Sequence, residues 1–180
     1  MGVIIMNKYV AFLRAINVGG HPITMDRLCE FFEELGFSNV ETFIASGNVI
    51  FETKEKNTAS LEKKISTHLE KSLGYAVDTF LRTPQEVAEI ENRSPFKAEK
   101  KDDAVYVAFL HVPLNAAGKS ALMAVKNRWN DFAVTGSEIY WLRLNKDDSI
   151  FLKSSLEKIL KISTTVRNLN TVRKIVEKVP

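Results

Sequence analysis

Cysteine is nearly missing from this 180-residue chain, where Cys29 stands alone. One thiol forms no intramolecular disulfide and no cysteine zinc cluster. Histidine is almost as scarce. His21, His68 and His111 are scattered singly, without the spacing of a ligand set, so no metal is expected. Five prolines and eight glycines are too few for a collagen-like or low-complexity chain. No apolar run approaches the ~20 residues that span a bilayer, which excludes a membrane protein. The amino end, Met1 to Met6, is too short and too uncharged for a signal peptide, so a cytoplasmic location is expected. No Ser-His-Asp or Cys-His arrangement is visible. Ala117-Gly118-Lys119-Ser120 lacks the earlier glycine of a phosphate-binding loop, because Pro113 stands there. Cys29 falls near the apolar face of a helix and reads as core. Trp129 and Trp141 read as core or near-core, with Arg143 laying its stem along the face of Trp141. These absences leave the reaction, if there is one, unassigned, and they imply no cofactor.

What is present is an ordinary globular composition, 45% hydrophobic and 26% charged. A single domain of this size buries roughly 70% of its unfolded surface. The net charge of +3 hides an asymmetry: residues 1–92 carry −4 and residues 93–180 carry +7. A basic half suits an anionic partner, although such a bias is usually a solvated face.

The periodicity gives the architecture. Residues 9–16 are apolar on both parities, as in a central strand. Thr24 caps a helix with Met25, Leu28, Phe32 and Leu35 on one face, and Gly36 ends it. Residues 40–45 and 49–53 are strands joined by Ser46-Gly47-Asn48. Thr58 caps a second helix carrying Leu61, Ile65, Leu69 and Leu73, and 77–82 is a fourth strand. The order is β-α-β-β-α-β, that of ferredoxin-like folds. Thr83-Pro84-Gln85-Glu86 is a capping box opening a short helix to Asn92. The charged stretch 93–103 marks a boundary.

The pattern then restarts. Tyr106-Val-Ala-Phe-Leu110 repeats Tyr9-Val-Ala-Phe-Leu13 letter for letter. Phe132 to Tyr140 parallels Phe43 to Phe51. Residues 115–127 are helical in composition. Asp148 or Ser149 caps a helix bearing Leu152, Leu156, Ile159 and Leu160, and 162–166 is a strand. A last helix carries Leu169, Val172, Val176 and Val179. The fold expected is α+β: two tandem ferredoxin-like units, 8–92 and 103–180, forming a pseudo-dimer with an extra C-terminal helix.

Topology then locates a candidate site. The first two strands run parallel, so the loop after the first strand and the 46–48 hairpin share one edge. Arg14 falls on the strand face of Val10, Phe12 and Ile16, where a charge is either paired or aimed at a ligand. Asn17 precedes Gly19 and Gly20, whose N–H groups suit an anion. Arg14, Asn17, Ser46 and Asn48 are expected to converge on a pocket, with Gly19 and Gly20 in its wall. The plain alternative is tight turns and one structural ion pair. A second cluster is Arg167, Asn168 and Thr171 at the start of the last helix. It joins the first only if the halves place that helix start against the first unit. In an isolated repeat the last strand ends at the opposite edge.

The runs Phe12-Leu-Arg-Ala-Ile-Asn-Val-Gly-Gly20, Ala45-Ser-Gly-Asn-Val-Ile-Phe51 and Thr165-Val-Arg-Asn-Leu-Asn-Thr171 together resemble the bacterial family catalogued as domain of unknown function 1697. The resemblance runs from about residue 8 to the end. It implies a cytoplasmic, duplicated α+β protein without an established activity. Its motif residues fall on Arg14, Asn17, Gly19, Gly20, Ser46, Gly47, Asn48, Arg167, Asn168 and Thr171. Leu169 departs from it, standing where many members are expected to carry tryptophan.

Three functions follow. The first is binding, or transforming, a small anionic or phosphate-containing ligand at the first-unit loops. The second is a non-catalytic scaffold or interaction module. Nucleic-acid binding ranks last, because Tyr9, Phe12, Phe43 and Phe51 sit in apolar strands rather than on an exposed basic sheet.

Overall fold

A computed structural model of the chain describes residues 4–44, 47–145 and 153–180. The chain divides into two compact units, Met1–Glu86 and Val87–Pro180. Ser46, a candidate site residue, and the expected caps Asp148 and Ser149 lie outside the described residues.

The first unit contains β1 (Asn7–Leu13), α1 (Met25–Glu34), β2 (Ser38–Thr42), β3 (Asn48–Thr53), α2 (Thr58–Leu73) and β4 (Thr79–Arg82). Its sheet has the order β2-β3-β1-β4, with every neighbouring pair antiparallel. β1 and β2 both oppose β3 and therefore run parallel to each other. This is the ferredoxin-like arrangement that the element order implies. On the helix side the core holds Tyr9, Ala11, Leu13, Phe32, Phe51, Leu61 and Leu69, which the two helices supply at their apolar spacing. The other face of the sheet carries Val10, Phe12, Ile50 and Phe80, all buried.

Local chemistry explains the helix ends. Thr24 accepts the Arg27 N–H at 3.2 Å, as its N-cap position requires. The α2 cap is Asn57, one residue before the expected Thr58, with its Oδ1 accepting the Ser60 N–H at 2.9 Å. Gly74 ends α2 at φ 80°. The edge strand β4 is blunted, since the Leu81 N–H donates to Glu62 Oε1 at 2.8 Å. α3 (Pro84–Asn92) opens on the expected capping box. The Thr83 N–H donates to Glu86 Oε2 and the Glu86 N–H to Thr83 Oγ1.

The second unit repeats the plan with β5 (Ala104–Phe109), α4 (Ala116–Ala124), β6 (Asn130–Thr135), β7 (Glu138–Arg143), α5 (Lys153–Leu160), β8 (Thr165–Asn168) and the C-terminal α6 (Leu169–Lys178). Its sheet order is β6-β7-β5-β8. β5 sits where β1 sits, so the repeated Tyr-Val-Ala-Phe-Leu words occupy equivalent places. Gly118-Lys119-Ser120 lies inside α4, whose cap Asn115 accepts the Gly118 N–H at 2.7 Å. Tyr140, fully buried, donates its hydroxyl to Ile90 O at 2.7 Å and ties the end of α3 to β7. The division between the two compact units falls within α3.

Register corrects two readings. The matched runs Phe132–Tyr140 and Phe43–Phe51 are out of register, by one residue along β3 and β7 and by three along β2 and β6, where Thr42 pairs with Val49 as Val134 pairs with Ile139. Ala11 pairs with Val49 and Ala108 with Ile139, so Phe51 corresponds to Trp141 and Asn48 to Glu138. Ile16 belongs to the helix-side core with Leu13, not to the face of Val10 and Phe12. β1 stops at Leu13 because Ala15 turns left-handed, at φ 67°, and breaks the alternation.

Candidate functional site

The first unit gathers three chain segments at the exit of β1. Phe12 pairs with Asn48. The Leu13 N–H donates to Gly47 O at 2.8 Å, and the Arg14 N–H to Asp78 O at 2.9 Å. The β1–α1 loop, the β2–β3 hairpin and the segment before β4 therefore meet at one edge. Arg14, half-buried, is the first residue past the strand.

This edge is unusual in its backbone. Ala15 (φ 67°), Asn17 (φ 57°), Gly19 (φ 68°), Gly20 (φ 79°) and Ile44 (φ 49°) are all left-handed. For a β-branched residue such as Ile44 this is a genuine outlier, and such conformations cost of order 1–3 kcal/mol each. Side chains hold the path in place. Asn17 Oδ1 accepts the Ile23 N–H at 2.6 Å and closes the loop. Asn48, 2% exposed, donates its amide to Phe43 O and Ile44 O, both at 3.0 Å. A Cβ on Gly19 or Gly20 would meet nothing within 4 Å. Their glycines answer to the positive φ, not to crowding.

The second unit serves as an internal control. Its hairpin turns in two residues, Gly136 and Ser137, between the paired Thr135 and Glu138. In the first-unit hairpin the corresponding rung is Phe43, whose N–H donates to Asn48 O at 3.0 Å, and four residues, 44–47, separate the two. Among the described residues 111–115, the loop after β5, none is left-handed. Lys161 is left-handed only because it terminates α5, as Gly74 terminates α2.

Arg167, Asn168 and Thr171 lie in the second unit. Arg167 pairs with Val107 and Asn168 with Tyr106, at the beginning of β5 rather than its exit. Arg167 Nη1 donates to Thr165 Oγ1 at 2.8 Å and Val166 O at 3.0 Å. Burial pulls its pKa down from the ordinary arginine value to about 10. Asn168 caps α6, its Oδ1 accepting the Asn170 N–H at 2.8 Å. Thr171 is half-buried in the first turn. A cavity of about 310 Å³ opens at this helix start, with Phe96, Lys97, Asn168, Asn170 and Arg173 among its lining. Arg173 Nε is held by Glu91 Oε1 at 3.0 Å.

Sequence reasoning missed Arg82 and the 75–79 segment. Arg82, 8% exposed, pairs with Val10 and donates to Leu81 O at 2.7 Å. Val10 and Val107 are equivalent in the repeat, so Arg82 and Arg167 are too, and each bonds the carbonyl just before it. The signal was there: an arginine, a capping residue, then a helix with Val87 and Ile90, or Val172 and Ile175, at the same spacing. α3 and α6 are thus counterparts.

Cys29 is half-buried, and burial pushes its thiol pKa up, away from the reactive thiolate. Trp141 is core, donating Nε1–H to buried Asn130 Oδ1 at 2.8 Å. Tyr9, Phe12 and Phe51 are buried as well. Among the described residues no group of three His, Cys, Asp or Glu is placed to hold a metal ion, and no helix is long and apolar enough to cross a membrane.

A family described as protein of unknown function (DUF1697) matches residues 6–140. The chain is similar to a solved structure titled as that of conserved bacterial protein SP0830 from Streptococcus pneumoniae. That likeness has a TM-score of 0.72 at 23% identity and covers 96% of this chain and 98% of the other. At that identity it speaks for the fold alone. No curated protein matches.

Proposed function

We propose that this chain, which belongs to the DUF1697 family of proteins of unknown function, binds a small anion at the β1 exit of its first unit, in the cytoplasm. One observation carries the reading. Left-handed residues cluster at this edge, and the corresponding loop and hairpin of the second unit carry only Gly136 in that conformation. Strain of this kind persists where the surroundings enforce it, and it gathers at binding sites. Arg14 supplies the charge. Gly19 and Gly20, in consecutive left-handed conformations and exposed, offer N–H groups without side chains in the way. Asn17 and Asn48 fix the loop and the hairpin that frame the site. Catalysis is not part of the proposal.

Thermal melts with inorganic phosphate, pyrophosphate or citrate test it. Ligand at a hundredfold excess over its Kd stabilises by about 2.7 kcal/mol, a rise of about 5–11 °C for a chain of this size. The rise is expected in the wild type and lost in Arg14→Gln. No rise with any of the three, or a rise that survives in Arg14→Gln, overturns the proposal. A loss of about 3–5 kcal/mol in the unliganded Arg14→Gln protein would instead identify a structural ion pair.

A further inference from the structure

The proposed anion site has a third wall in the segment leading into β4. This segment borders the β1–α1 loop at both of its ends. Asp78 O takes the Arg14 N–H at one end. At the other, the Tyr75 ring lies 5.6 Å from the His21 ring, tilted by 32°, beside Gly20. Tyr75 packs its ring against the helix-side core. Its hydroxyl oxygen is buried and has no hydrogen-bond partner among the described residues. A buried tyrosine hydroxyl ordinarily finds an acceptor, and one left without a partner weakens the fold. Phenylalanine would fill the same space without that penalty. A local cost of this kind is expected where a residue serves a ligand rather than the fold.

Resting on the anion-binding reading above, we propose that Tyr75 is a specificity-determining donor of that site, giving its O–H to an oxygen of the bound anion. Arg14 and Tyr75 stand at the two ends of one loop. The ligand class is therefore an extended oxyanion, with one anionic group toward Arg14 and a second acceptor toward Tyr75, as in a diphosphate.

Isothermal titration of pyrophosphate and of inorganic phosphate separates the possibilities. The wild type is expected to prefer pyrophosphate. Tyr75→Phe should weaken pyrophosphate about tenfold, the scale of one hydrogen bond to a charged group, and leave phosphate unchanged. Unliganded Tyr75→Phe should melt at or above the wild-type temperature. Thr79→Val is the control: Thr79 Oγ1 also lacks a partner, but its side chain is 0% exposed. It should melt no lower than wild type and keep the pyrophosphate affinity. Unchanged affinity in Tyr75→Phe, with Arg14→Gln abolishing binding, overturns this inference alone. A clearly lower melting temperature for Tyr75→Phe also overturns it, by revealing a structural bond. No binding by the wild type overturns both readings.

Discussion

Asn48 separates a framework residue from a ligand-contacting one, and Asn48→Asp is the sharpest perturbation. The wild-type amide is buried at 2% exposure and donates to Phe43 O and Ile44 O at 3.0 Å. Ionised aspartate has nearly the same shape and no donor. Two hydrogen bonds of about 1 kcal/mol each disappear, and a carboxylate then faces two carbonyls that it cannot satisfy. Leaving a buried acceptor unmet adds about 1–3 kcal/mol. Ile44 sits at φ 49° and loses the bond that holds it there. The expected loss is about 3–5 kcal/mol for Asn48→Asp and about 2–3 kcal/mol for Asn48→Ala, which removes the donor without adding charge. Urea unfolding followed by circular dichroism reads both as a lower midpoint at unchanged slope. Losses below about 0.5 kcal/mol, the scale of surface substitutions, would refute a framework role. So would an alanine variant less stable than the aspartate one, because the charge argument fixes their order.

Two further outcomes follow from packing and titration. Leu13→Ala and Phe109→Ala remove side chains that are 3% and 0% exposed, at adjacent levels of equivalent strands. Urea melts should show losses of about 2–5 kcal/mol each, and less than about 1 kcal/mol would place that strand at an exposed edge. Burial pushes the Tyr140 hydroxyl up to about 12 from 10.0. Its folded pKa is raised, so its contribution is complete below pH 10 and is lost as pH rises toward 12. Tyr140→Phe should cost about 1 kcal/mol at neutral pH, through the lost bond to Ile90 O, and flatten the decline above about pH 10. An unchanged alkaline slope in urea melts would remove Tyr140 from that role.

The element order was legible because caps and periodicity are local. Thr24, Gly36, Gly74 and the Thr83–Glu86 box mark helix ends wherever the chain later goes. The end of β1 was not legible. Ala15 and Ile16 continue an apolar run, and nothing in their letters says that Ala15 leaves the strand left-handed. Along β3 and β7 the hairpins were matched one residue out of register for a related reason. The glycines Gly47 and Gly136 stand out in the letters, but the ladder aligns Gly47 with Ser137, which accept from the equivalent Leu13 and Leu110 N–H groups. At the site, topology alone brought the β1 exit to the hairpin. The wall at 75–79 depends on β4 pairing with β1 across more than sixty residues, a contact no local pattern announces.

Duplication sharpens what the edge of the first unit means. Where the two units carry the same mechanical load they keep the same device. Phe12 and Phe109 fill equivalent positions, and Arg82 and Arg167 each bond the preceding carbonyl. Folding physics therefore reached the same answer twice. The β1 exit is where it did not. There the first unit holds Ala15, Asn17 and Ile44 left-handed, and the second makes the same connection with a two-residue turn and a loop, 111–115, that has no left-handed residue. The fold does not require the strained route, since the second unit closes without it. On the anion-binding proposal its cost is offset by a ligand that binds only the folded edge and returns stability by mass action. The same reasoning predicts which half loses stability more cheaply. Replacing residues 44–47 with the short Gly-Ser turn of the second unit should raise the melting temperature and abolish any anion-induced rise. A melting temperature that falls would mean that the longer hairpin serves the first unit's own packing.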